Sequence, residues 1–289
     1  MGKQKQTKLN RLQILLPEGL LVDSGWLQRH GYSSALRSKY VAHGWLDQVI
    51  RGVYRRPPAR LSSAYTDKDV HWEQVVISLQ LLLEYPSVVG GRTALELQGF
   101  GHYLSTEGPR EIHLYGISKP PAWVSKLKLK SRFVVHNAGK LFKGLLSDLR
   151  VQNSAVPSDI SAGSGGKSNL IRQTWGRWEW PLAMSSPERA ILELLDEVPQ
   201  CETFHQADVL MEGLRNLSPR RLRALLVNCR SIKAKRLLLW FAERHNHAWL
   251  KNLDRNEIDL GHGKRSLVRG GKLDKKFEIT VPENLHAGG

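Results

Sequence analysis

Three features of the chain carry residue types that could do chemistry. Gly90-Gly91-Arg92-Thr93-Ala94-Leu95 follows the apolar run Ser87-Val88-Val89, and a glycine pair between a strand and a helix can bring backbone amides against a phosphate. Phosphoryl chemistry there would need paired carboxylates on the next strand to hold divalent cations. That strand reads Glu111-Ile112-His113-Leu114-Tyr115, with Glu111 its one acid, so no metal site can be built from it. A turn that simply joins strand to helix explains the glycines at least as well. Gly163-Ser164-Gly165-Gly166-Lys167-Ser168 imitates a phosphate-binding loop, yet Ser161 stands where that pattern needs glycine and no strand precedes it. A flexible loop is the better account. Among the histidines, His102, His113 and His136 are scattered over strand or loop positions without a second ligand type at metal-binding spacing. His245 and His247 lie two apart, a poor spacing for one helical face. Cys201 and Cys229 are the only cysteines; they form neither a metal pattern nor a disulfide framework and fit a reducing compartment. No nucleophile, base or metal constellation emerges, so the sequence points away from an enzyme and asks for no cofactor.

What the chain has in surplus is positive charge. Its 289 residues carry 43 Lys or Arg against 27 Asp or Glu, a net charge of +16, which favours a polyanionic partner. Residues 1–60 hold eleven basic residues against Glu18, Asp23 and Asp47, a surplus of eight. Half of the excess thus sits in a fifth of the chain. A second, more diffuse basic stretch, Lys233 to Lys276, has twelve against five. With 41% hydrophobic residues a packed core is expected. Neither a signal-type apolar run nor about 18 consecutive apolar residues occurs, and the expectation is a soluble cytoplasmic protein with no membrane partner.

The elements that must present this charge can be read from periodicity. Leu9, Leu12, Leu15 and Leu16 recur at helical spacing until Pro17 and Gly19 stop them. Asp23 or Ser24 can cap a short helix through Trp26 and Leu27, which Gly31 ends. Ser33 or Ser34 caps the next, in which Leu36, Tyr40 and Val41 are spaced to bury one face, and Gly44 closes it. Two short helices joined by a glycine-containing turn are the helix-turn-helix arrangement, whose second helix enters the major groove. Trp45 to Val49 and Val53 to Arg56 flank Arg51-Gly52 as a basic hairpin, a wing, which Pro57-Pro58 ends. On this reading Ser33, Ser34, Arg37, Ser38, Lys39 and His43 are candidates for contacting DNA from the second helix. Arg51, Arg55, Arg56 and Arg60 would meet phosphate or the minor groove. The alternative is a small helical module with a solvated basic face.

Beyond a connector at residues 61–68, the pattern alternates. A helix is expected at 69–85, then a strand at 87–89, a helix through Ala94 and Leu97, a strand at 111–115, a helix begun by Pro120-Pro121, and a strand at 132–136. Residues 153–169, rich in Ser, Gly and Ala, read as an exposed loop. Ser186-Pro187-Glu188-Arg189 opens a strong helix to Glu197, helices follow at about 204–215, 219–229 and 233–245, and a last hairpin is expected around Arg269-Gly270-Gly271. The fold class is α+β, an N-terminal winged helix-turn-helix over 1–60 followed by a larger mixed α/β domain over 61–289.

Leu16-Pro17-Glu18-Gly19, the Trp26 to Arg56 pattern, Val89 to Leu97, Ile112-His113-Leu114-Tyr115-Gly116 and Ser186-Pro187-Glu188-Arg189-Ala190 together resemble the AbiEi family of antitoxins over nearly the whole chain. The resemblance implies an N-terminal winged helix that represses its own operon, and a C-terminal domain that counters a toxin of the nucleotidyltransferase class. It also implies a type IV system, in which the two proteins need form no stable complex, and a link to abortive infection by phage. Gly90-Gly91 is similar to the loop that begins the nucleotidyltransferase fold, so a degenerate version of that fold is one form the larger domain could take. Lys264, Arg265, Arg269 and Lys272 are candidates for antitoxin function, if opposing the toxin means reaching a shared nucleic-acid target. The expected function is therefore a DNA-binding repressor and antitoxin. A winged-helix regulator with a ligand-sensing C-terminal domain is the alternative, and a cryptic nucleotide-handling enzyme the third.

Overall fold

The computed structural model of the chain describes residues 7–57, 69–101, 108–143, 169–176 and 179–286. The loop expected at 153–169 lies outside the described residues except for Asn169, as do the phosphate-loop imitation at 163–168, the connector at 61–68, Arg60 and His102. Among the described residues the fold is mixed α and β. It divides into two compact units, Met1–Pro86 with Lys119–Arg132 and Thr174–Leu182, and Ser87–Ser118 with Phe133–Gln173 and Ala183–Gly289.

In the first unit, α1 (Lys8–Leu15) is capped by the Thr7 hydroxyl and leads to β1 (Leu21–Asp23). Asp23 ends that strand and starts α2 (Ser24–Arg29), its Oδ1 accepting from the Trp26 amide at 2.7 Å. Three side-chain or glycine signals then set the path of the chain. Gly31 takes φ +88°, a left-handed conformation open to glycine at little strain. The Ser33 hydroxyl caps α3 (Ser34–Ala42), accepting from the Leu36 amide. Gly52, at φ +82°, turns β2 (Asp47–Ile50) into β3 (Val53–Arg55). The strands form a sheet in the order β1-β3-β2, Leu21 and Asp47 both lying opposite Arg55. Leu16, Leu21, Trp26, Leu27, Tyr40 and Val53 fill the interior behind it.

The same unit takes in the chain up to Pro86. Helix α4 (Trp72–Leu81) is tied to β1 by the Ser78 hydroxyl, which accepts from the Leu21 amide at 2.7 Å. The helix is shorter than its periodicity suggested, because Gln74 Oε1 accepts from the His71 amide and fixes the start there. Pro120-Pro121 does not open a helix, and only a 3₁₀ turn forms at Val124–Lys126.

A five-stranded sheet has the order β6-β5-β4-β8-β7, with β4 (Ser87–Val89) and β5 (Glu111–Gly116) wholly in the second unit and β6 (Arg132–Asn137), β7 (Leu170–Trp175) and β8 (Trp180–Ser185) partly in it. Strand β4 runs antiparallel to β5, with Val89 opposite Leu114, and parallel to β8, with Val89 opposite Met184. The helices are α5 (Gly91–Leu97), α6 (Ala138–Leu141), α7 (Pro187–Glu197), α8 (Phe204–Gly213), α9 (Pro219–Asn228) and α10 (Ile232–Arg244). Helix α7 starts at the Ser186-Pro187 signal and buries Ile191, Leu192, Leu194 and Leu195. Each such side chain contributes about 1.5–3 kcal/mol on leaving water, so α7 and the equally apolar α10 hold the unit together.

Near the C-terminus, β9 (Lys272–Asp274) pairs with β10 (Ile279–Val281), and a final short helix, α11 (Glu283–His286), follows. The turn of this hairpin is at residues 275–278, not at Arg269-Gly270-Gly271. Asp274 Oδ1 accepts from the Phe277 amide at 2.9 Å and makes the turn. Val268 to Gly271 do form a turn, the Gly271 amide donating to Val268 O at 3.3 Å with Gly270 at φ +74°, but it leads into β9 rather than joining β9 to β10; a Cβ on Gly271 would stand 2.6 Å from Val281 O.

Candidate functional site

The residues proposed for DNA contact separate into two groups. Ser34, Ser38, Lys39 and His43 are exposed along α3, and Arg51 is exposed at the β2–β3 turn. His43 stacks on the exposed ring of Trp45, with centroids 5.1 Å apart. Ser33 spends its hydroxyl on the cap of α3.

Three arginines are turned inward instead. Arg37 is buried, donates from Nη1 to Ser24 O at 2.8 Å and lies over the Tyr54 ring. Arg55 is buried, with Nε 3.3 Å from Asp47 Oδ2 and Nη1 donating to Asp69 O. Arg56 holds Glu18 Oε1 at 3.0 Å and Gln13 O at 2.8 Å. Arg37 stands one helical turn before Tyr40 and so shares the face of α3 that packs inward. Periodicity taken from apolar residues alone sets it outside.

In the second unit Lys264, Arg265, Arg269 and Lys272 all have exposed side chains. The segment bearing them is held from beneath by α10. Arg236, 2% exposed, donates to Leu260 O at 2.7 Å, Gly261 O at 3.1 Å, Gly263 O at 2.7 Å and Glu278 O at 3.3 Å. Lys235 Nζ donates to Asp259 O, and Thr280 Oγ1 accepts from the amides of Leu267 and Val268. The nearby acids are engaged within the fold. Asp274 accepts from Trp240 Nε1, Glu243 pairs with Arg255 and Lys276, and Glu278 lies 3.5 Å from Arg236. The four cations face solvent, and Asp274, Glu243 and Glu278 each have a partner within the fold.

The Gly90-Gly91 turn is occupied from inside the molecule. The Gly91 amide donates to Glu193 Oε2 at 2.9 Å, while Glu193 Oε1 accepts from Arg189 Nε at 2.7 Å and from the Ser185 hydroxyl at 3.0 Å. A Cβ on Gly90 would stand 2.3 Å from Glu193 Oε2 and 2.4 Å from Tyr115 Cδ2. A buried carboxylate of this chain therefore sits against the amide that a phosphate would have sought.

Beside that turn lies a polar cluster that the spacing of residues gave no hint of. His113 and His136, which the sequence leaves scattered, stand on adjacent strands with Nδ1 and Nε2 3.0 Å apart and their rings nearly parallel, and the His136 ring also stacks on Tyr115. Glu197 Oε1 is 3.0 Å from His136 Nδ1, and Glu202 Oε1 is 3.7 Å from His113 Nε2. Burial, together with the neighbouring His136 and Arg92, pushes His113 down to about 4, and burial pushes Glu202 up to about 7. For Glu197, burial raises the carboxyl, but the hydrogen bonds from His136 and Cys201 and the nearby histidines together outweigh it and leave the group below its ordinary value. Among the described residues no group of three His, Cys, Asp or Glu is arranged to hold a metal ion, and no helix is long and apolar enough to cross a membrane.

Comparison with known families decides what this geometry belongs to. Residues 5–106 match the family described as transcriptional regulator, AbiEi antitoxin N-terminal domain, and residues 110–282 match transcriptional regulator, AbiEi antitoxin, type IV TA system. The chain belongs to the AbiEi antitoxin family. This AbiEi protein is thus one of the transcriptional regulator antitoxins of type IV toxin–antitoxin systems, as its motifs suggested. Its backbone is similar to the crystal structure of the RV2827C protein from Mycobacterium tuberculosis, at 14% identity and a TM-score of 0.45 over 90% of this chain and 85% of that one. That likeness is too distant to carry an argument. No curated protein matches the AbiEi chain.

Proposed function

We propose that the first unit is a winged helix that binds the promoter DNA of the protein's own operon and represses it, and that the second unit counteracts a toxin of the nucleotidyltransferase type. The protein acts in the cytoplasm, without catalysis and without a cofactor, and takes part in abortive infection against phage. One observation carries the DNA half. A capped α2, a glycine turn and a capped α3 precede a tight hairpin in a sheet of order β1-β3-β2, with Lys39 and Arg51 on its exposed side. That is the order of parts a winged helix uses to set one helix in the major groove and a hairpin along the backbone. Ser34, Ser38 and His43 have the exposure a base-reading surface needs. Arg37, Arg55 and Arg56 act through the fold, holding α3, the wing and α1 in place.

The antitoxin half rests on the family and on the exposed cations Lys264, Arg265, Arg269 and Lys272. Their setting suits a phosphate backbone, and opposing the toxin at a shared nucleic-acid target requires no stable complex with it. The test is growth of cells that express the cognate toxin together with this protein. Wild type restores growth, and the variant with these four residues changed to Ala does not, although it still represses a reporter fused to the region upstream of the gene. Full rescue by the quadruple variant sinks the C-terminal assignment. An unaffected reporter with the wild-type protein sinks the repressor.

A further inference from the structure

With His136 neutral, the geometry of the cluster on β5 and β6 fixes its hydrogen count. A carboxylate can only accept, so with Glu197 Oε1 3.0 Å away, a neutral His136 keeps its proton on Nδ1 and turns a bare Nε2 toward His113. His113 must then donate from Nδ1 across the 3.0 Å between them, which leaves its Nε2 as a lone pair. That nitrogen has no hydrogen-bond partner in a side chain 2% exposed; Glu202 Oε1, 3.7 Å away and equally buried, has none either. An ionised Glu202 would set two buried acceptors against each other with nothing between them.

We propose that Glu202 and His113 form a buried proton-binding site, the proton riding on Glu202 Oε1 and facing the lone pair of His113 Nε2 across 3.7 Å, at the inner end of the hydrogen-bonded chain Glu197–His136–His113.

The surroundings favour retaining that proton. From α5, Arg92 and Glu96 face the site; from β5, Glu111; from β6, His136; from α7, Glu197; and from the following turn and α8, Cys201 and Gln206, while Tyr115 adjoins Glu193 and Asp196, and Lys233 of α10 lies toward Glu197 and Cys201. Arg92 supplies the positive charge that acts on both Glu202 and His113. Its Nη2 is 3.2 Å from Glu111 Oε2, its Nη1 donates to Gln206 Oε1, and its Nε lies 3.9 Å from Glu96 and 3.3 Å from Glu202 Oε1 without making a hydrogen bond to the latter. One guanidinium is thus shared by three carboxylates, and the most buried of them is best left neutral. The elevated Glu202 and depressed His113 assign the proton in the same way, to the carboxyl rather than the ring. Glu202 sits in the turn between α7 and α8, so the bound proton fastens that turn to the middle of the sheet. When the proton leaves, the turn meets a repulsive contact.

The experiment uses the full chain labelled with ¹⁵N-histidine and ¹³C-glutamate, followed by NMR from pH 5 to 8.5, with His113→Asn and Glu202→Gln used for assignment. The expected wild-type result is a His113 ring that remains the neutral Nδ1–H tautomer throughout, and a Glu202 carboxyl carbon that titrates near pH 7. In Glu202→Gln the amide supplies a permanent donor, so the His113 signals keep their low-pH wild-type positions up to pH 8.5. A His113 that titrates at an ordinary histidine midpoint, or a Glu202 carboxyl already ionised at pH 5.5, overturns the proposal. If Glu202→Gln does not fold, the wild-type titration decides alone.

Discussion

Replacing Gly90 by Ala should damage this protein more than any other change of a single methyl group at the β4–α5 turn. The new Cβ would be placed 2.3 Å from Glu193 Oε2 and 2.4 Å from Tyr115 Cδ2, well inside contact distance, so both side chains must move. Glu193 is fully buried and anchored by the Gly91 amide, the Ser185 hydroxyl and Arg189. Forcing a methyl into such a site costs about 1–3 kcal/mol in overpacking. Loss of one charge-assisted hydrogen bond adds roughly 1.5–3 kcal/mol. The expected destabilisation is therefore about 3–5 kcal/mol, a fall in Tm on the order of 10 °C for a unit of this size, read from thermal melts by circular dichroism. Gly91→Ala offers an internal control. Its φ of +52° strains an alanine, but the nearest atom to its Cβ is Tyr115 Oη at 3.2 Å, so about 1–2 kcal/mol is expected. The reasoning fails if Gly90→Ala melts with the wild type, or if Gly91→Ala is the more damaging. Either result would mean that the turn is not closed by Glu193 and is open to an outside anion.

Other outcomes follow from the same contacts. Arg37→Ala should lower stability by about 1–3 kcal/mol through its lost bond to Ser24 O and lost packing, whereas exposed Lys39→Ala should stay within about 0.5 kcal/mol of wild type; paired urea titrations separate them. Arg236→Met leaves the carbonyls of residues 260, 261, 263 and 278 without their donor, and limited proteolysis should then cut near 259–263 where the wild type resists. In wild type, Glu202 is raised from 4.5 to about 7 and stabilises the fold less as pH rises through that window, while His113, lowered from 6.5 to about 4, stabilises it less as pH falls. The two slopes oppose each other, so stability should be nearly flat between pH 5 and 6.5. Glu202→Gln should expose the histidine and lose about 3 kcal/mol on acidification from pH 6.5 to 4, while His113→Asn should lose a similar amount as pH rises from 4.5 to 7. Parallel profiles for the two variants would contradict the assignment.

Much of the first unit was legible because its signals are local. Asp23, Gly31, Ser33 and Gly52 act on backbone within three or four residues of themselves, and the caps and turns they imply are the ones observed. The role of Arg37 was not legible, since a buried arginine at helical spacing from Tyr40 looks in sequence like any exposed cation. Burial of Arg55 depends on Asp69, fourteen residues away in sequence. The cluster around His113 was hidden for the same reason: His136 lies 23 residues further on, Glu197 and Glu202 further still, and a sheet has to form before they meet. Gly90 did carry a readable signal, a glycine pair after an apolar strand. Its partner Glu193 sits on a helix a hundred residues downstream, so the sequence alone could not tell a phosphate cradle from an internal tie.

The central claim, that α3 and the β2–β3 turn bind operator DNA, is tested most directly by measuring affinity for the duplex upstream of the protein's own gene and for a random duplex, at several fixed salt concentrations. The full chain is compared with the Lys39→Ala, Arg51→Ala double variant, chosen because both side chains are exposed. The account predicts specific binding by wild type. It also predicts, for a variant of unchanged Tm, weaker binding and a salt dependence shallower by about two counterions. Equal, weak binding to both duplexes, or a variant that binds as wild type does, would contradict it.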